Sequence, residues 1–180
     1  MAFEFSETYM EGVFVVKPKV FGDERGYFTE TYKKRDFQAH GIDLDFNQDN
    51  QSFSTKGVLR GLHFQREPYA QGKLIRVIKG KIFDVGVDLR EGSKTFGQYI
   101  SVTLSENGME ILWLPEGFAH GFLALEDSIV LYKATHEYNK ESEGGIIWND
   151  PKLAIKWPEK PKEVSEKDRQ WPTMKEVYKL

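Results

Sequence analysis

Four histidines, His40, His63, His120 and His136, are the side chains of this 180-residue sequence that titrate near neutrality, so acid–base chemistry has few places to stand. His63 lies in Val58-Leu59-Arg60-Gly61-Leu62-His63-Phe64-Gln65, an apolar run interrupted by a cation, an imidazole and an amide. With a reference pKa of ~6.5, an imidazole suits proton abstraction near neutral pH; the plainer role for an isolated histidine is a core residue bonded to backbone. Strand alternation puts Leu59, His63 and Gln65 on one face and Arg60 on the other, unless Gly61 breaks the parity. His120, in Pro115-Glu116-Gly117-Phe118-Ala119-His120-Gly121-Phe122, shares a strand face with Phe122 and Ala124. Val130, Tyr132, Ala134, His136 and Tyr138 alternate along one further run, so Tyr132 and Tyr138 share a face if that strand is regular. Such phenols either pack with their hydroxyls at a rim or serve as a proton donor and a ring for stacking a base.

Three further side chains have two readings each. Asp168, in Ser165-Glu166-Lys167-Asp168, fits a capping box at the start of a short helix, which is the local preference. Asp84 lies on the face opposite Phe83 and Val85 and is a candidate inward carboxylate. Lys73, at the start of its run, reads locally as a solvated strand-end lysine. Neither a G-x-G-x-x-G nor a G-x-x-x-x-G-K-[ST] loop occurs, so any phosphate must be held by scattered Arg, Lys and backbone donors.

The elements that must position these residues are short β runs punctuated by Gly and Pro. Lys33–His40 predicts one short helix with Gly41 beyond its C-terminus. Lys73–Leu89 reads as a hairpin turning near Gly80, and Gln98–Leu104, Met109–Leu114, Ala119–Leu125 and Ile129–Tyr138 follow at strand-like spacing. Strands without long helical patterns between them imply a sandwich, jelly roll or barrel in a single all-β domain. From Asn149 onward, Pro, Lys and Glu accumulate, and 149–180 reads as a tail wrapped over a core of about 13–148.

Composition narrows the chemistry further. Cysteine is absent, which removes disulfides, thiolate metal sites and cysteine nucleophiles. A net charge of −3 argues against a dedicated nucleic-acid binder, and no run reads as a secretory leader or membrane anchor, so a cytoplasmic location is expected.

Three blocks together resemble the dTDP-4-dehydrorhamnose 3,5-epimerase family: Gly57–Gln65, Gln71-Gly72-Lys73-Leu74-Ile75-Arg76-Val77, and Pro115–Phe122. The likeness extends to Asp23-Glu24-Arg25-Gly26-Tyr27-Phe28, Trp148-Asn149-Asp150-Pro151 and Ile155-Lys156-Trp157-Pro158, and so spans nearly the whole chain. It implies a cupin-type jelly roll, or β-sandwich, with a few short helices, a homodimer, and a reaction without metal or cofactor. The implied reaction inverts C3 and C5 of dTDP-4-keto-6-deoxy-D-glucose on the way to dTDP-L-rhamnose. By the same resemblance His63 is the general base, Asp168 its partner, Tyr132 the proton donor on the opposite face and Lys73 the cation beside the C4 oxygen. Tyr138 is then the ring that stacks on thymine, and Arg25, Glu30, Gln48, Asn50, Arg60, His120, Glu143 and Lys167 hold sugar and diphosphate. The Asp84 role stays open, with a hydrogen bond to a site residue as the expectation.

Competing functions are an epimerase acting at C3 or C5 alone, a metal-dependent cupin using His63 and His120 with Gln65 or Asp84, and a non-catalytic sugar-binding jelly roll. Gln65, where metal cupins carry a second histidine, leaves a poor transition-metal set. A binding module has no need of His63, Asp168 and Tyr132 together.

Overall fold

The computed structural model describes residues 2–179. Along the chain the elements are β1 (Phe3–Glu7), β2 (Phe14–Pro18), β3 (Val20–Asp23), β4 (Gly26–Thr29), α1 (Lys34–Gln38), β5 (Gln48–Ser54), β6 (Val58–Gln65) and β7 (Lys73–Lys79). They continue with β8 (Lys81–Asp88), β9 (Tyr99–Ser105), β10 (Ile111–Leu114), β11 (Phe118–Ala124), β12 (Ser128–Ala134), β13 (Glu143–Gly145), β14 (Glu163–Val164), α2 (Glu166–Arg169) and α3 (Met174–Tyr178). Sheet one runs β1-β2-β10-β7-β12-β5, sheet two runs β13-β6-β11-β8-β9 with β14 parallel to β6, and β3-β4 form a separate two-stranded arm. This is the cupin-like β-sandwich that the resemblance implies.

Alternation explains the layers. Ile75, Val77, Ile82, Leu104, Leu112, Leu114, Phe118, Phe122 and Val130 point between the sheets and form the inner core. The opposite parity of β8, with Val85, Val87 and Leu89, points outward with Leu62 and Phe64 of β6, under Ile146, Leu153 and Met174 of the C-terminal segment. Strands buried on both faces therefore read as continuous apolar runs. Asp150 ties the tail down: its Oδ1 accepts the N–H groups of Lys152 and Leu153 at 2.8 Å each, and Oδ2 accepts that of Met174 at 2.7 Å. On sheet one, Phe3, Phe14, Val16, Leu74, Ile111 and Trp113 are covered by Phe37 of α1 and by Ile42. Among the described residues no helix is long and apolar enough to cross a membrane.

Two expectations are corrected here. Lys73–Leu89 is not a hairpin, because β7 is flanked by β10 and β12 in sheet one while β8 is flanked by β11 and β9 in sheet two. Gly80, with φ +79°, is the point where the chain passes between sheets; a side chain there would run into the Asp127 carbonyl. Local pattern sees two apolar runs and a glycine in either case, and only distant strands decide which edges are filled. The run Ile129–Tyr138 also stops early, since β12 ends at Ala134; Tyr138 lies in the following loop and shares no strand face with Tyr132. The predicted helix forms over Lys34–Gln38, within the expected range. The N-terminal run pairs within the chain, as a β1-β2 hairpin from Phe3↔Pro18 to Glu7↔Phe14.

Candidate active site

A cavity of about 320 Å³ opens between the two sheets. Sheet two supplies Arg60, His63 and Gln65 from β6 and His120 and Phe122 from β11, while sheet one supplies Ser52 from β5, Lys73 from β7 and Tyr132 from β12. Tyr138, Glu143, Lys167 and Asp168 close its mouth.

The parity question at Gly61 resolves through a bulge. Arg60 pairs with Phe122 and His63 with His120, so three steps along β6 match two along β11. The extra residue lets Arg60 and His63 both face inward while Leu59, Leu62 and Phe64 pack outward. Glycine is required there: φ is +117°, and a Cβ would sit 2.6 Å from the Gly121 Cα. Simple alternation, which would turn Arg60 away from His63, is broken at Gly61, the exception the sequence left open. One inserted residue reverses everything on one side of it.

His63 Nε2 meets Asp168 Oδ1 at 2.5 Å. Asp168 is 3% exposed, its Oδ2 accepts the Gly61 N–H at 3.2 Å, and Trp171 Nε1 donates to Oδ1 at 3.2 Å. Burial alone would raise this carboxyl; the donors from His63, Gly61 and Trp171 outweigh it and hold Asp168 below the ordinary carboxylate range. The capping motif is half realised, because Ser165 Oγ accepts the Asp168 N–H at 3.1 Å while the carboxylate is turned to the imidazole. Asp168 thus serves the helix with its backbone and His63 with its side chain.

A second imidazole–carboxylate pair lies beside the first. Asp84 is fully buried, inward as alternation predicts, and its Oδ1 accepts from His120 Nε2 at 2.6 Å. The expected hydrogen bond from Asp84 to a site residue is therefore present. Across the cavity, burial raises the Tyr132 phenol, against a smaller opposing influence from Arg60. Lys73 is not a solvated strand end: it is 6% exposed, and burial pulls its ammonium down to about 8.

The mouth is a polar chain. Tyr138 is half exposed, its hydroxyl donates to Glu143 Oε2 at 2.9 Å, and Lys167 Nζ reaches the two Glu143 oxygens at 2.5 and 2.6 Å. The Tyr138 N–H donates to Gln48 Oε1 at 2.7 Å, and Gln48 Nε2 to Asn50 Oδ1 at 2.8 Å, so β5 sets the position of the Tyr138 loop. Arg60 is held at the rim by Ser54 Oγ at 2.9 Å and the Phe53 carbonyl at 3.0 Å. Arg25 and Glu30 are not brought to this cavity by their own chain. Arg25 pairs with Asp23 on the β3-β4 arm, and Glu30 pairs with Lys33 at 3.2 Å just beyond it.

Sequence reasoning passed over Ser52 and Trp171. Ser52 could have been found, since it continues the Gln48, Asn50 parity; its buried hydroxyl has no hydrogen-bond partner. Trp171 carries no local signal. Gln65 proves to be a scaffold: it donates to the Tyr69 and Glu137 carbonyls at 2.7 and 3.1 Å and accepts the Asn139 N–H at 2.7 Å.

Comparison with known proteins places the chain. A family model described as dTDP-4-dehydrorhamnose 3,5-epimerase matches residues 7–176. The enzyme of that name from Methanothermobacter thermautotrophicus is 51% identical over 178 residues, covering 97% of this chain and 96% of its own. The crystal structure of the Bacillus anthracis enzyme with TDP and PPi bound superposes with a TM-score of 0.93 at 44% identity, covering 96% of this chain and all of that one. The Legionella pneumophila dTDP-6-deoxy-D-glucose-3,5-epimerase, in complex with dTDP-4-keto-L-rhamnose, gives 0.91 at 43% identity, covering 95% and 92%.

Proposed function

The chain belongs to the dTDP-4-dehydrorhamnose 3,5-epimerase family, and from that membership we propose how its own residues carry out the reaction. The enzyme is an isomerase that inverts C3 and C5 of dTDP-4-keto-6-deoxy-D-glucose to give dTDP-4-keto-L-rhamnose in dTDP-rhamnose biosynthesis. The observation that carries the residue assignment is the opposition of His63 on sheet two to Tyr132 on sheet one across one cavity. A sugar ring between the sheets presents one face to each. His63, held by Asp168, removes the proton α to the C4 ketone from one face, and the Tyr132 phenol returns a proton to the other.

Abstraction places negative charge on the C4 oxygen. Lys73 is the cation for that oxygen, buried where an ammonium acts at low dielectric. General-base catalysis is worth ~10²–10⁴-fold and an oxyanion donor about 10²–10³. Two stereocentres on a weakly acidic substrate call for both. Arg60 and Lys167 take the diphosphate at the rim, and Tyr138 stacks on thymine from its exposed position.

We further infer a homodimer. The β3-β4 arm exposes Phe21, Tyr27 and Phe28 and carries Arg25, with Glu30 just past it. An apolar arm of this kind suits a second copy, whose cavity mouth Arg25 and Glu30 would then reach.

Lys73 sets the basic limb. It is largely protonated at pH 7 and loses its charge as pH passes about 8. We expect kcat/KM to fall above that pH, and this basic limb to disappear in Lys73→Met, whose low residual rate stays level above about 8 in a pH–rate profile. Stability moves the other way. The unfolded lysine titrates near 10.5, so between about 8 and 10.5 the unfolded chain binds more protons, and raising pH favours the fold.

Incubation with dTDP-4-keto-6-deoxy-D-glucose in D₂O tests the whole reading. Deuterium at both C3 and C5 of an L-sugar, read by mass and NMR, is the expected result. Label at one carbon assigns a mono-epimerase, and an unlabelled product removes the proton-transfer mechanism.

A further inference from the structure

We propose that the His120–Asp84 pair is a proton-return relay, carrying the proton taken by His63 back to Tyr132 so that both inversions occur in one occupancy of the cavity. The argument rests on His63 as base and Tyr132 as acid, and begins from proton balance. One inversion moves a proton from substrate carbon to His63 and another from Tyr132 to carbon. It leaves an imidazolium on one wall and a phenolate on the other. The second inversion needs a neutral imidazole and a neutral phenol, so one proton must cross the cavity first. Burial makes the phenolate the costly state, which drives its reprotonation.

His120 occupies the place such a relay needs. It is the β11 partner of His63 across the strand pair, so both rings leave the same face of sheet two. Its ring centroid lies 6.4 Å from that of Tyr132, which projects from sheet one. Nε2 is committed to Asp84 at 2.6 Å, and the ring lines the cavity. Asp84 is 0% exposed and its second oxygen has no partner, so its one hydrogen bond is spent on orienting the His120 ring. In the relay, the His120 Nδ1 takes the His63 proton through one cavity water. The ring then gives a proton from Nδ1 to the Tyr132 phenolate. His63 and Tyr132 are reset, and His120 ends as it began. Asp84 touches no reacting atom and acts as a positioning residue through His120.

The test is Asp84→Asn at saturating substrate in D₂O, with rapid quenching and separate measurement of label at the two carbons. The expected result is at least a tenfold fall in the ratio of second-label to first-label rates, with singly inverted sugar accumulating. Equal slowing of both labels, or no change in the ratio, overturns the relay. The double variant Tyr132→Phe/Asp84→Asn separates a structural effect. With no phenolate to reset, it should exchange no more slowly than Tyr132→Phe alone, and a further loss assigns Asp84 to structure. Tyr132→Phe that still yields doubly inverted sugar instead removes the base–acid reading beneath the proposal. If Asp84→Asn does not fold, His120→Gln asks the same question, because an amide cannot carry the proton, and an unaltered ratio there overturns the relay equally.

Discussion

Replacing His63 with Asn is expected to lower kcat by about 10²–10⁴-fold while dTDP affinity stays within about threefold. The imidazole is held by the buried Asp168 carboxylate on the wall that faces Tyr132 across the cavity. Asn retains a polar side chain of similar reach, so the mouth residues proposed to hold the nucleotide keep their places. Asp168 then loses a donor but retains the Gly61 N–H and the Trp171 indole, which limits the structural penalty to roughly 1–3 kcal/mol. Asp168 lies below the ordinary carboxylate range, so it stays charged at neutral pH, and its contribution to stability is lost only as pH falls through its lowered folded pKa. Single-turnover rates with parallel dTDP binding are the measurement. A variant within tenfold of wild type assigns the base elsewhere.

Tyr132→Phe is expected to uncouple exchange from inversion. His63 still removes the proton and, in D₂O, returns deuterium to the face it was taken from. The donor on the other wall is gone, so the label enters with the D-configuration retained. The yield of L-sugar should drop at least a hundredfold while deuterium exchange falls far less, a contrast that loss of packing would not produce. The phenyl ring keeps the contact of Tyr132 with the inner core. NMR of quenched samples reads label and configuration together. Exchange and inversion falling in step would remove Tyr132 as the donor.

The two expected outcomes draw on different parts of the chain. The strand that carries Tyr132 and the inward direction of Asp84 follow from alternation of period two, which the local sequence contains. The face of Arg60 does not. It depends on a bulge whose count is set by the β11 residues opposite, sixty positions away in the chain. The Lys73–Leu89 run fails as a hairpin for a related reason. Two apolar-rich arms around a glycine are compatible with either connection until β10, β12, β11 and β9 have taken the edges. Tyr138 reaches the mouth from a loop whose position Gln48 of β5 fixes by a hydrogen bond.

By itself the sequence determined an all-β chain, an inward Asp84 and the residue types suited to proton transfer, because side-chain type and strand periodicity are local properties. Its resemblance to one family supplied the roles. Local pattern pairs no carboxylate with an imidazole; the tertiary structure brings Asp168 to His63 and Asp84 to His120. Asp168 reads locally as a helix cap, and becomes the partner of His63 because the tail folds over sheet two and aligns β14 with β6. It also set His63 and Tyr132 on opposing walls. That opposition requires two sheets to close over one cavity, a condition set by long-range packing rather than by any single segment.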